Sequence, residues 1–206
     1  MAMDSVVLNL PKEVSNLQLP DPELLTYYKN IEDRELWIDD EINEYSLEYA
    51  RLIIRWNRED EKKKPEKRKP IKLLFFSPGG DLDVNNTLID TIRLSKTPVW
   101  GINMGRCASA AAFIFLSCHK RLMLPSGYFL FHQGSGAFSG TFQEVCAQMQ
   151  DYQIAVNRLS EFMLTYTAYT KEEIEENICG EWFVRDQEAL QKKVVDGIVN
   201  DISLLM

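Results

Sequence analysis

Histidine is scarce in this chain, with two in 206 residues. Any chemistry that needs an imidazole base therefore has two candidates, His119 and His132. Cysteine is scarce too, and its four residues form no Cys-x-x-Cys pair, so no metal or redox motif is spelled out. Three of the four sit in apolar, helix-like contexts and read as small buried thiols. A reducing, cytoplasmic setting follows from that usage. No apolar run approaches the roughly 18 residues that a membrane span needs. The stretch from Met1 to Leu10 shows neither a basic region nor a long apolar core, so no secretory signal is expected. Positive charge is in deficit, with 23 Lys and Arg against 31 Asp and Glu, a net charge of −8 and a pI near 4.9. That balance argues against a dedicated nucleic-acid surface.

What is present is apolar content of 45%, enough for one sizeable core. Residues 1–22 carry three prolines and little periodicity, and are expected to form an extended arm, with the rest a single domain over 23–206. Pro22 to Tyr28 opens a short helix, and Glu35 to Ile38 reads as a strand. The spacing of apolar residues from Asn43 to Trp56 predicts a helix with one buried face. Glu59 to Pro70 is a charge run with two prolines, read as a solvated loop. An alternation then begins: strand 71–76, helix 83–95, strand 99–104, helix 108–117, strands 121–124 and 128–131. Helices interleaved with short apolar strands mean an α/β fold. Residues 142–168 contain no Gly or Pro, and Val145, Met149, Tyr152, Val156, Leu159, Met163 and Tyr166 step by three or four. That predicts a long amphipathic helix, projecting from the core or packed against another subunit. Short helices are expected over 171–177 and 187–193, and a closing strand over 194–199.

Within this frame one segment stands out. Met104-Gly105-Arg106-Cys107-Ala108-Ser109-Ala110 follows an apolar strand and reads as a tight turn into a helix. A serine there lies where helix N–H groups favour a developing negative charge. Twenty-three residues on, a short apolar strand ends in His132. Upstream, Ser77-Pro78-Gly79-Gly80 is a turn whose glycines can present bare backbone N–H groups. A nucleophile, a base and an oxyanion cradle are the parts of an acyl-transfer enzyme. His119 lies in a polar break and is expected at the surface. Ser117-Cys118-His119-Lys120 matches a bare Ser-x-x-Lys pattern, but at a helix end, and is read as a decoy.

Taken together, the turn with two glycines, the Met-Gly-x-x-Ala-Ser segment, the strand ending in His-Gln, the long helix and the closing Val-Val-Asp-Gly-Ile resemble the ClpP family of serine peptidases. The resemblance runs from about Asp33 to Asp201. It implies the ClpP/crotonase-like superhelix of repeated β-β-α units with a long projecting helix. It also implies the core of a serine endopeptidase, itself independent of ATP and of any cofactor or metal, cleaving peptides or unfolded proteins. Ser109 would be the nucleophile and His132 the general base. The N–H groups of Gly80 and Ala110 would form the oxyanion hole. Gly79, Asp81, Leu82, Gln133 and Gly134 would line an extended substrate by backbone pairing. Homo-oligomeric assembly, as a heptameric ring or double ring, would follow, with an AAA+ unfoldase as a further partner, and neither membrane nor nucleic acid.

The chain departs from the family in three places. Glu181 stands where the family has the aspartate of its triad, with Asp186 as the fallback. Gly180 replaces the arginine used in ring-to-ring contacts, and Gly134 replaces a proline after His-Gln. Three other readings stand beside the peptidase: a specialised phage-type or translocation-enhancing protease, a non-catalytic assembly subunit, and an enoyl-CoA hydratase-like enzyme that would not need the Ser–His pair.

Overall fold

The computed structural model describes residues 21–205. The expected arm over 1–22 therefore lies outside the described residues, except for its last two. The chain divides into two compact units after Asp33. In the first unit, α1 (Pro22–Asp33) has proline at its start, and Asp21 Oδ1 accepts from the Glu23 N–H at 2.9 Å. Proline needs no helical N–H partner there, and the aspartate satisfies one that would otherwise be orphaned.

The second unit, from Arg34 onward, is built on a seven-stranded sheet. Strands β1 (Glu35–Ile38), β2 (Ile71–Ser77), β3 (Val99–Ala108), β4 (Lys120–Met123) and β7 (Gly197–Ile198) lie in the order β1-β2-β3-β4-β7, every neighbour parallel. Buried parallel strands carry unbroken apolar runs, and Leu73, Leu74 and Phe75 of β2 are all buried. Helices α2 (Leu47–Glu59) and α3 (Leu82–Leu94) pack together, and α3 packs on α4 (Ala110–Leu116). All seven residues of α4 are buried, as its Ala-Ala-Ala-Phe-Ile-Phe-Leu sequence requires.

The strand carrying the Ser109 segment is longer than its sequence suggests. Residues 104–108 belong to β3 rather than to a turn, so Cys107 is a strand residue and not a helical one. The cause is a change of partner. β3 pairs with β4 over Trp100–Asn103, then with β5 (Tyr128–Phe131) over Arg106–Ala108. Asn103, fully buried, fills the fork: its Nδ2 donates to the Tyr128 carbonyl and its Oδ1 accepts from the Gly105 N–H, both at 2.9 Å.

A strand absent from the sequence reading, β6 (Trp182–Arg185), runs antiparallel to β5. It is four residues long, with only its alternate residues Trp182 and Val184 buried, so the local sequence carries little strand signal. Elsewhere the boundaries differ by a few residues. The 43–56 segment is a one-turn 3-10 helix (Glu44–Ser46) followed by α2, and the helix expected over 187–193 is α7 (Asp186–Gln191). The closing strand keeps two residues of its expected six.

Helix α5 (Phe142–Tyr166) spans 25 residues, opened by a capping box between Thr141 and Glu144. Its buried residues Val156, Leu159 and Met163 all fall in the second half. In the first half Phe142 and Met149 are exposed. The short α6 (Lys171–Asn177) follows, with its own capping box at Thr170.

Candidate functional site

Ser109 sits at the joint between β3 and α4 with φ 53° and ψ −128°. A side-chain-bearing residue in the positive-φ region stores strain and persists only where the surroundings hold it. Two contacts do so. The Ser109 N–H donates to the Leu130 carbonyl of β5 at 2.8 Å, and its carbonyl accepts from the Ala112 N–H at 2.9 Å. Its hydroxyl makes no cap bond to α4. Instead Ser109 Oγ lies 2.7 Å from His132 Nε2, where a neutral imidazole can accept the hydroxyl proton.

His132 follows β5 directly and is half-buried. Its strand is fixed from below by rings. Phe131 meets Phe113 of α4 at 5.7 Å and Trp182 of β6 at 5.9 Å, and Phe129 meets Phe115 of α4 at 4.9 Å. Each such pair contributes about 0.5–1.5 kcal/mol beyond area burial. One aromatic core thus joins the helix that begins at Ser109 to the strand that ends at His132.

The glycine turn is pinned by Ser77. Its Oγ donates to the Asp40 carbonyl at 2.6 Å and accepts from the Gly79 N–H at 3.1 Å. Gly79 has φ +98°, and a Cβ on it would come within 2.6 Å of the Ala108 carbonyl and of Ser109 Cβ. Only glycine fits this close to the serine. Around Gly80, Ile42 donates to the Gly79 carbonyl and accepts from the Asp81 N–H, both at 2.8 Å. Along an extended chain alternate amides face opposite ways, so the Gly80 N–H points away from Ile42. It has no acceptor among the described residues. The Ala110 N–H heads α4 and has no intrahelical partner either. With seven residues, α4 acts through these leading N–H groups more than through a long dipole.

The acidic candidates lie at opposite ends of β6. Phe131 pairs with Trp182 in the last rung of the β5–β6 ladder, so His132 and Glu181 are each the next residue past the same end of it. Glu181 is exposed, and among the described residues no hydrogen bond joins it to His132. Asp186 starts α7 beyond Arg185, whose strand partner is Tyr128 at the far end of β5.

The remaining candidates border this centre. Asp81 is exposed, and its carboxylate accepts from the Asp83 and Val84 N–H groups at 2.9 Å, capping α3. Leu82 is half-buried and, with Phe138, Tyr152 and Ile154, lines a cleft of about 480 Å³ between α3 and α5. Gln133 is held through its N–H by the Ile178 carbonyl at 3.0 Å, and Gly134 has φ +87°. Two contributors were missed as site residues: Ser77, read as part of the turn, and Tyr152, read as one rung of an apolar stripe.

The other histidine and the Ser-x-x-Lys match stand apart. Ser117 is buried and donates to the Ile114 carbonyl at 2.6 Å. His119 is exposed, and its Nδ1 accepts from the Val99 N–H at 2.9 Å. Partial desolvation holds its pKa below the ordinary imidazole value. Burial pushes the Cys107 and Cys118 thiols up, which keeps them protonated and unreactive. Among the described residues no group of three or more His, Cys, Asp and Glu is placed to hold a metal ion, and no helix is long and apolar enough to cross a membrane.

Comparison with known proteins places these features in a family. The family model described as Clp protease matches residues 26–201. An ATP-dependent Clp protease proteolytic subunit from Paracoccus denitrificans is 29% identical over 138 residues, covering 66% of this chain and 69% of that protein. The ATP-dependent Clp protease proteolytic subunit 2 of Treponema denticola is 35% identical over 96 residues, 44% of this chain and 48% of that protein. Its match thus spans about half the relative's length. Among solved structures, a ClpP1 mutant from Listeria monocytogenes superposes with a TM-score of 0.74 at 22% identity, covering 88% of this chain and 99% of that one. At that identity the likeness is one of fold, and the mixed α/β fold with its parallel sheet is ClpP-like.

Proposed function

The chain belongs to the Clp protease family, and on that premise we propose that it is a serine endopeptidase with Ser109 as nucleophile and His132 as general base. The 2.7 Å contact between Ser109 Oγ and His132 Nε2 carries the reading. Ser109 Oγ attacks the scissile carbonyl carbon while its proton passes to His132 Nε2. The carbonyl π pair moves to oxygen, and that oxyanion is received by the Gly80 and Ala110 N–H groups. One preorganised donor of this kind contributes roughly 3–4 kcal/mol to the transition state. Collapse of the intermediate breaks the C–N bond, and His132 returns the proton to the leaving amine. Water then repeats the sequence on the acyl-enzyme and frees Ser109.

Glu181 is the orienting carboxylate of this proposal, because the register of β5 and β6 supports it and Asp186 lies at the wrong end of the strand. Its reach to His132 tightens when substrate is bound, since catalytic hydrogen bonds are often long in empty sites. The substrate is an extended peptide or unfolded protein, running between the Gly79–Leu82 segment and the Gln133–Gly134 segment and pairing with exposed backbone. The working form is a homo-oligomer of rings, the first half of α5 supplying apolar contact surface, in a reducing cytoplasm. An AAA+ unfoldase is a partner compatible with the relatives' printed description as subunits of an ATP-dependent protease.

A fluorophosphonate probe tests the reading. Wild type is expected to be labelled on Ser109, with labelling abolished by Ser109→Ala and strongly slowed by His132→Ala. An assembled wild type that takes no label would overturn it and favour a non-catalytic assembly subunit, for which the missing Glu181–His132 bond is the supporting observation.

A further inference from the structure

We propose that Tyr152 of α5 is a positioning residue of this site, acting through Gln133 on His132. The inference rests on the reading of Ser109 and His132 as the reacting pair. Regular pairing of β5 with β6 stops at Phe131, so His132 is the first residue beyond the ladder. Beyond it the chain runs through Gln133, Gly134, Ser135, Gly136 and Ala137, all exposed. Gly134 takes φ +87°. A histidine between a finished strand and a glycine-rich loop needs an anchor on its far side.

Gln133 supplies that anchor through two opposed bonds. Its N–H donates to the Ile178 carbonyl at 3.0 Å, just past the end of α6. Its carbonyl accepts from the Tyr152 hydroxyl at 3.1 Å. The Tyr152 ring is itself held, half-buried, edge-to-face against Phe138 at 5.6 Å and 66°. A Cβ on Gly134 would come within 3.0 Å of the Tyr152 hydroxyl, so the loop closes tightly over it. The peptide unit after His132 is thereby tied to the long helix. The contact it protects is short: a drift of His132 by about 1 Å would take the 2.7 Å approach to Ser109 Oγ beyond hydrogen-bond range. Misplacement of that size costs catalysis heavily even when its origin is remote.

Tyr152→Phe tests this, because it removes the hydroxyl and keeps the ring against Phe138. The readouts are the two constants of fluorophosphonate inactivation, the maximal rate kinact and the half-saturating concentration KI, with melting temperature and labelled stoichiometry alongside. We expect kinact to fall about three- to tenfold, the effect of one net hydrogen bond, with KI and stoichiometry unchanged and the melting temperature lowered by no more than about 5 °C, that bond's worth of stability. An unchanged kinact overturns the proposal. So does a rise in KI at constant kinact, which would make Tyr152 a substrate contact, and so does a loss of labelled fraction or a larger fall in melting temperature, which would make it a packing residue.

A second measurement does not depend on labelling. With two histidines in the chain, NMR of 13C-labelled histidine resolves each ring. In Tyr152→Phe the His132 Cε1 signal is expected to shift or broaden while that of His119 stays in place. If wild type takes no probe, the hydrolase reading fails, and the His132 signal still decides whether Tyr152 positions it; an unmoved signal overturns that role.

Discussion

Ile42 brackets Gly80 with a pair of 2.8 Å backbone hydrogen bonds to the residues on either side of it, Gly79 and Asp81. The bridge turns the Gly80 N–H away from Ile42, and it leaves no room on the Ile42 side. A Cβ added to Gly80 would lie 2.1 Å from the Ile42 carbonyl oxygen, at φ +152°. Gly80→Ala must therefore displace the turn and withdraw the N–H donor. Peptidase rate and probe labelling are expected to fall by about a hundredfold or more. Labelling at wild-type rate in a folded Gly80→Ala protein would remove Gly80 from the oxyanion hole.

Ser109 carries backbone strain at φ 53°. Ser109→Gly is expected to abolish labelling and to stabilise the fold by about 1 kcal/mol, because glycine adopts φ 53° without penalty. In a chain of this size that is a rise of about 2–4 °C in melting temperature. Ser109→Ala loses labelling as well but keeps a Cβ, so it gains nothing. Equal melting temperatures for the two variants would count against stored strain.

The two carboxylates that flank β6, Glu181 and Asp186, are expected to separate by mutation. Glu181→Gln is expected to lower peptidase turnover by about tenfold or more, since an amide orients the imidazole less well than a carboxylate. Asp186→Asn is expected to leave it within about twofold, from the far end of the strand. The reverse ranking, read from steady-state kinetics, sinks the Glu181 assignment.

Asp60 is the acid that stability should report. It is fully buried and accepts from both Arg34 Nη1 at 2.6 Å and Nη2 at 3.0 Å, from Thr97 Oγ1 at 3.0 Å and from Lys63 Nζ at 2.8 Å. The hydrogen bonds from Arg34, foremost, hold its carboxyl well below the usual carboxylate range. A depressed folded-state pKa contributes stability that is full above the unfolded value, about 3.9, and is lost as pH falls below it. Asp60→Asn is thus expected to cost about 1–3 kcal/mol near neutrality, because buried Arg34 loses its closest carboxylate and keeps only Glu59 at 3.5 Å and the Lys69 carbonyl at 3.0 Å. In denaturant titrations the gap between wild type and variant narrows below about pH 4. A gap independent of pH would mean that the carboxylate charge contributes nothing.

The local signals in the sequence were strong where the physics is local. Apolar Ala110–Leu116 has to be a buried helix, Thr141 and Glu144 have to cap a long one, and Ser77-Pro78-Gly79-Gly80 has to turn. Two glycines at a turn, one serine ahead of a helix and one histidine at a strand end determined the candidate chemistry and the family resemblance before any coordinates. What tertiary structure decided is long-range. β6 was unreadable because four residues with two buried side chains gain their strand character only from pairing with β5. The extension of β3 through Arg106–Ala108 depends on a second partner that the chain reaches twenty residues later. The choice between Glu181 and Asp186 depends on the β5–β6 register, since a carboxylate's nearness to an imidazole is set by cross-strand pairing and not by spacing along the chain. Tyr152 shows the same limit: its place on an apolar stripe is written in the sequence, while the carbonyl that its hydroxyl finds is fixed only when α5 and the end of β5 come together.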